Sequence, residues 1–175
     1  MNLNMYNKQI KIALITLVTA FAGYQFYLIN IFYGILLLLL AGLILLTIYK
    51  NEYIMLAFYF MRKGQAAKSE KILNKIKYPE KLVKSQQAYY YFLKGLVETQ
   101  LRGMNKAEKQ FKMALSTGLR MKNDQAIANL NLAGIYLSKR NKKVATHYLQ
   151  EAKKADKHKL LSEQIKDFEK HMKRI

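Results

Sequence analysis

The hydrophobic pattern of this chain changes character once. From Ile12 to Tyr49 no side chain is charged, and beyond residue 50 lysines are spread among the apolar positions. A bilayer's hydrocarbon core, about 30 Å thick, takes about 20 helical residues to cross. The uncharged stretch as one helix would reach about 57 Å at about 1.5 Å per residue, too far for one crossing. It therefore predicts a two-helix transmembrane hairpin in residues 1–49, with spans at about 10–27 and 31–49. Tyr27, Leu28, Ile29 and Asn30 form the turn, with Tyr24 and Gln25 beside it, an aromatic cluster suited to headgroup level. Near the other end of the chain, Leu161, Ile165, Phe168, Met172 and Ile175 recur at steps of 4, 3, 4 and 3. That spacing draws one apolar stripe and predicts an amphipathic helix over 160–175.

Between these two regions the pattern repeats. Ala57, Gly95 and Ala133 are spaced by 38 residues, as are Ser69, Ala107 and Ala145, and Leu73, Phe111 and Leu149. Ala152 follows Leu149 as Ala114 follows Phe111, with the larger Ile76 at the equivalent place in the first copy. Small residues at fixed points let two antiparallel helices cross closely, and a bulky residue between them fills the gap to the next pair. No glycine or proline interrupts Leu43 to Lys63, so the second span is expected to continue unbroken into the first repeat helix. The alternative is that Ile54 to Met61 lies in the membrane interface as an amphipathic segment.

The spacing resembles the tetratricopeptide repeat family. That family places a small residue and an aromatic on the first helix of each pair, and alanine, a large apolar residue and alanine on the second. Three copies fit, beginning at Lys50, Ala88 and Ala126. The third matches with Leu132, Ala133, Tyr136, Ala145, Leu149 and Ala152; the second with Gly95, Ala107, Phe111 and Ala114, but with Glu98 where an aromatic belongs; the first with Leu56, Ala57, Phe60, Gly64 and Leu73, with Ser69 and Ile76 as departures. The family's shorter usual period leaves extra residues around Lys84 to Gln87 and Lys122 to Gln125, which read as longer helices or loops. The resemblance implies an all-α chain: the hairpin, then a right-handed α-solenoid over 50–159 (pairs 50–87, 88–125 and 126–159), then a capping helix over 160–175. A cap with a polar outer face is what a repeat array needs at its end.

Such arrays bind peptides along a concave face lined by the first helix of each pair. The resemblance implies a partner groove of Ile54, Phe58, Met61, Tyr89, Phe92, Leu96, Ile127, Leu130, Asn131 and Leu137. One version of the family grips a carboxylate with lysine, asparagine and arginine. Here Ile54, Phe58, Leu93, Ile127 and Asn131 fill those positions, so that clamp is absent. An apolar groove suits an amphipathic helix or peptide segment of a protein partner.

Net charge is +19, and all eleven acids follow residue 50. Lys8 and Lys11 flank one end of the hairpin and Lys50, Arg62 and Lys63 the other, while the turn is uncharged. The positive-inside rule then places both termini and the repeats in the cytoplasm, as an integral protein of a bacterial inner membrane. The rival reading is a cleaved signal peptide ending at Ala20-Phe21-Ala22, which leaves the second span as a stop-transfer. Small residues in the spans, Thr16, Ala20, Gly23, Gly34, Ala41 and Gly42, serve either mutual packing or a dimer face. Lys68, Lys71, Lys75, Lys139, Arg140, Lys142 and Lys143 are candidates for contact with anionic lipid or an acidic partner. Nucleic acid is not expected, since no recognised motif accompanies the charge and arginine is scarce.

Nothing in the pattern signals catalysis or a cofactor. There is no cysteine, hence no thiolate metal site or lipobox. His147, His158 and His171 are scattered, and no phosphate-binding glycine loop or nucleophile elbow occurs. The expected role is a membrane-tethered adaptor or scaffold, not an enzyme. Two alternatives stand beside it: a structural subunit acting through its hairpin, and a protein that binds anionic lipid.

Overall fold

The computed structural model describes residues 3–49, 51–101 and 104–174; Lys50 and Ile175, named above, lie outside the described residues, as does the side chain of Lys8. Among the described residues all regular structure is helical, with no strand. Contacts divide the chain into two compact units, Met1–Glu52 and Tyr53–Ile175.

In the first unit α1 (Leu3–Tyr27) and α2 (Ile31–Tyr49) lie side by side, antiparallel because three residues join them. Their seam is drawn by Ile15, Val18 and Ala22 on α1 and by Gly34, Leu37, Ala41 and Ile44 on α2, at the steps of three and four that keep residues on one helix face. A Cβ at Gly34 would stand 2.7 Å from the Phe26 ring, so glycine is what lets that ring in. Gly34 and Ala41 thus lie in the seam, whereas Thr16, Ala20, Gly23 and Gly42 face outward; their own spacing puts them on the far side of each helix. The Thr16 and Thr19 hydroxyls donate to the Ile12 and Ile15 carbonyls one turn back. At the turn the Asn30 amide donates to the Gln25 carbonyl and the Ile29 amide to that of Phe26, which places Ile29 in the left-handed region at φ 64. At the open end the Lys11 ammonium meets the Glu52 carboxylate.

Among the described residues one helix, Gln9–Tyr27 near the N-terminus, is long and apolar enough to cross a membrane; Ile31–Leu45 is apolar but shorter. A signal sequence meets the same test. The expected continuous helix from the second span into the repeats is not found: α2 ends at Tyr49, Asn51 is not helical, and α3 (Glu52–Arg62) starts afresh. Asparagine's side chain competes with the helical backbone for hydrogen bonds, and Glu52 suits the positive end of the new helix.

In the second unit α4 (Ala66–Leu73), α6 (Met104–Thr117) and α8 (Lys142–Ala155) begin 38 residues apart; α6 packs on α5 (Lys84–Leu101) and α8 on α7 (Lys122–Ser138), while α4 shares a core with α3. The additional residues at 84–87 and 122–125 lengthen α5 and α7. Ala57, Leu73, Gly95, Phe111, Ala133 and Leu149 are all buried. Gly95 shows why the crossing residue must be small: a Cβ there would meet the buried Phe111 ring at 2.8 Å. Ser69, which stands where alanine is expected, donates its hydroxyl to the Ala57 carbonyl at 2.9 Å, so burial leaves it satisfied. The turn after α3 uses Gly64 at φ 71, and two periods later Arg140 holds the same left-handed place at φ 56. Both close a Schellman-type helix end, Gln65 amide to Phe60 carbonyl and Asn141 amide to Tyr136 carbonyl, each at 2.9 Å.

The last helix, α9 (Ser162–Arg174), is set by the buried Asp156, whose two carboxylate oxygens accept the Leu160 and Leu161 amides at 2.9 Å each. Ile165 joins Ala133 and Leu149 in a small core, with Leu130, Leu161, Phe168 and Met172 around it. An ion pair between Lys153 and Glu169 adds a link from α8. The stripe read from the sequence is therefore spent on α7 and α8.

Candidate partner-binding surface

The residues proposed for a groove separate into two sets. Ile54, Met61 and Phe92 are buried among α3, α4, α5 and α6; they build the core and cannot meet a partner. Phe58, Tyr89, Leu96, Ile127, Leu130, Asn131 and Leu137 are half-buried. Of these, Tyr89 and Leu96 pack both on the core around Leu73 and Leu93 and on that around Phe111 and Leu132, Phe58 on the former, Ile127 on the latter, and Leu130 on the small core around Ile165. The first helices of the pairs thus show a discontinuous row of apolar edges. The Asn131 amide group donates to the Ile127 carbonyl at 2.8 Å, so part of its polar capacity is used within α7.

Leu130 and Asn131 do border an opening of about 210 Å³, completed by Thr99, Met104, Gly134, Ile135 and Gln164. Four helices contribute: the end of α5, the start of α6, the middle of α7 and the start of α9. Gly134 leaves room there, with the Phe168 ring 3.7 Å from where its Cβ would be. The volume fits one large side chain, and the lining mixes apolar walls with the Thr99, Asn131 and Gln164 side chains. Helix α9 forms one wall of this opening and leaves it accessible.

The polar chemistry of this unit lies elsewhere, in a cluster that local sequence does not display. Glu108 on α6 accepts from Lys112 at 2.7 Å and from the Tyr136 hydroxyl at 2.5 Å, and its second oxygen accepts from Lys139. These hydrogen bonds, first from Lys112 and then from Lys139 and Tyr136, hold the Glu108 carboxyl down at about 2. Its bond to Glu108, and then one that it donates to the Tyr136 hydroxyl at 2.6 Å, raise Lys112. The Tyr136 ring stacks on Tyr148 at 5.5 Å, and both ammonium groups lie against its face. Glu108 and Lys112 look from sequence like a solvated pair on one helix; their partners are 28 and 31 residues away in the chain, so no local signal could reveal them. A second link of this kind joins the Tyr89 hydroxyl to the buried Asp124 at 2.8 Å. Burial, then the Asp124 carboxylate, raise the Tyr89 hydroxyl.

The proposed cationic contacts are likewise sorted. Lys68, Lys71, Lys75, Lys142 and Lys143 are exposed, with Lys68 over the Phe60 ring and Lys75 over Tyr53. Lys139 is held by Glu108, and Arg140 forms the turn described above. His147, His158 and His171 are exposed, and no group of three or more metal-ligating side chains occurs among the described residues. Among the described residues the surface can therefore offer apolar edges, a side-chain-sized opening and exposed ammonium groups. No family model, curated protein or solved structure matches this chain.

Proposed function

We propose that the protein is a membrane-tethered adaptor of the tetratricopeptide kind. In this reading α1 and α2 are the two spans of a hairpin, the three helix pairs stack as a right-handed solenoid on the cytoplasmic side, and no reaction is catalysed. The observation that carries it is the 38-residue recurrence of the helix pairs behind a charge-free N-terminal segment. Holding a partner near the bilayer raises its effective concentration there. The partner's helix or extended segment would lie along Leu96, Ile127 and Asn131, with one large side chain in the opening beside Leu130.

The test is a photo-crosslinking amino acid placed in turn at Leu96, Asn131 and, as a control, His158, in native membranes. Leu96 and Asn131 are expected to capture one protein in common that His158 does not. No shared product from the first two positions, with the chain folded and membrane-bound, rejects the groove.

A further inference from the structure

The 38-residue recurrence identifies the face by which each pair stacks on the one before it. On α5 and α7 that face carries Leu93, Val97, Leu132 and Ile135, all at 1% exposure or less. The equivalent positions on α3 are Met55, Leu56 and Tyr59, and they are 67%, 45% and 48% exposed. No earlier copy of the 38-residue pattern precedes α3 in the chain. A repeat array ordinarily closes such an end with polar residues, as α9 does at the other end with Glu163, Lys166, Asp167 and Lys170 exposed. Here the terminal face is apolar and aromatic.

We infer that the bilayer itself supplies the missing cap, and that α3 rests on an anionic lipid surface through Met55, Leu56 and Tyr59. This rests on the reading that α2 crosses the membrane. The connection is then decisive. From Tyr49 to Glu52 is three Cα steps, at most about 11 Å at about 3.8 Å per step, and the headgroup layer is itself about 5–7 Å deep. So the start of α3 is kept within a few ångströms of the headgroup layer. Its chemistry suits that place. Tyr59 offers an apolar ring with a polar tip, Lys63 lies over that ring at 4.6 Å, and Arg62 and Lys63 are exposed at the end of the face. Its one acid, Glu52, is paired with Lys11. An apolar strip ended by exposed cations is the make-up of a helix lying in the interface.

The chain has no tryptophan, so single tryptophans report without background. The full chain is placed in nanodiscs of phosphatidylcholine and phosphatidylglycerol, with and without brominated acyl chains. Three variants are compared: Tyr59→Trp, Leu36→Trp on the outward face of α2, and Lys157→Trp in the turn before α9. Tyr59→Trp and Leu36→Trp are expected to lose most of their emission to bromine, and Lys157→Trp to keep it. Quenching of Leu36→Trp with none of Tyr59→Trp overturns the inference and leaves the spanning reading intact; blue-shifted but unquenched emission from Tyr59→Trp would mean that protein covers the face, and overturns it equally. An unquenched Leu36→Trp rejects the spanning reading, and the lipid cap with it.

Discussion

Glu108 is the point at which α6 is tied to α7, and removing its charge should measure that tie. Its carboxyl drops from 4.5 to about 2 in the folded chain. At about 1.36 kcal/mol per pH unit the shift sets a ceiling of about 3 kcal/mol. The carboxylate side chain is 17% exposed, but Lys112 and Lys139 are 45% and 41% exposed, so solvent screens both ion pairs. Discounted for that screening, Glu108→Gln should cost about 1–2 kcal/mol at neutral pH. The sign follows from the depressed value. The contribution is complete above 4.5, where the carboxyl is ionised both folded and unfolded. It is lost as pH falls from 4.5 towards 2, because protons then bind the unfolded chain first. Urea unfolding of the detergent-solubilised full chain, followed by circular dichroism, would show a lower midpoint for Glu108→Gln at pH 7 and converging midpoints near pH 2. Equal midpoints at pH 7, or a gap that persists undiminished into acid, would refute the reasoning.

Other substitutions probe the backbone and the core. Arg140 holds a left-handed conformation that disfavours any side chain by about 1–2 kcal/mol, so Arg140→Gly should raise the melting temperature although it deletes a charge; a lowered melting temperature would show that the Arg140 side chain matters more than its backbone. Gly95→Ala should gain about 1 kcal/mol of helix propensity but lose about 1–3 kcal/mol to the collision with Phe111. A net loss is expected by thermal melting, relieved when Phe111→Leu is added. Asp156→Ala removes both acceptors of the turn before α9 and should cost about 1–3 kcal/mol, read as faster hydrogen exchange in 160–172 than elsewhere. Ile29→Asn should tighten the turn between α1 and α2 by about 1 kcal/mol, because asparagine tolerates the left-handed region and a β-branched residue does not. The readout is resistance of that loop to proteolysis.

Much of the second unit was legible because its repeat is enforced by contact distance. Wherever two helices cross closely a side chain must be small, and Ala57, Gly95 and Ala133 mark those points at equal spacing. The stripe of α9 was legible for a related reason, since Leu161, Ile165, Phe168 and Met172 all seek one surface. The groove was not. Ile54, Phe92 and Leu96 are alike in sequence, yet the first two are inside and the third is at an edge, and only the neighbouring pair decides which. The small residues of α1 and α2 left two uses open for the same reason, because Gly23 and Gly34 look equivalent until the rotation of each helix is known.

The sequence by itself determined that the chain is helical, that a charge-free segment precedes a basic one, and that the basic part repeats every 38 residues. Those properties follow from local periodicity and composition. Tertiary structure alone decided that α2 and α3 are separate helices, that Glu108 meets Tyr136 and Lys139, and that Met55, Leu56 and Tyr59 stand uncovered. The Glu108 contacts depend on distances between residues far apart in the chain, and exposure depends on packing, and neither leaves a mark on the residues themselves.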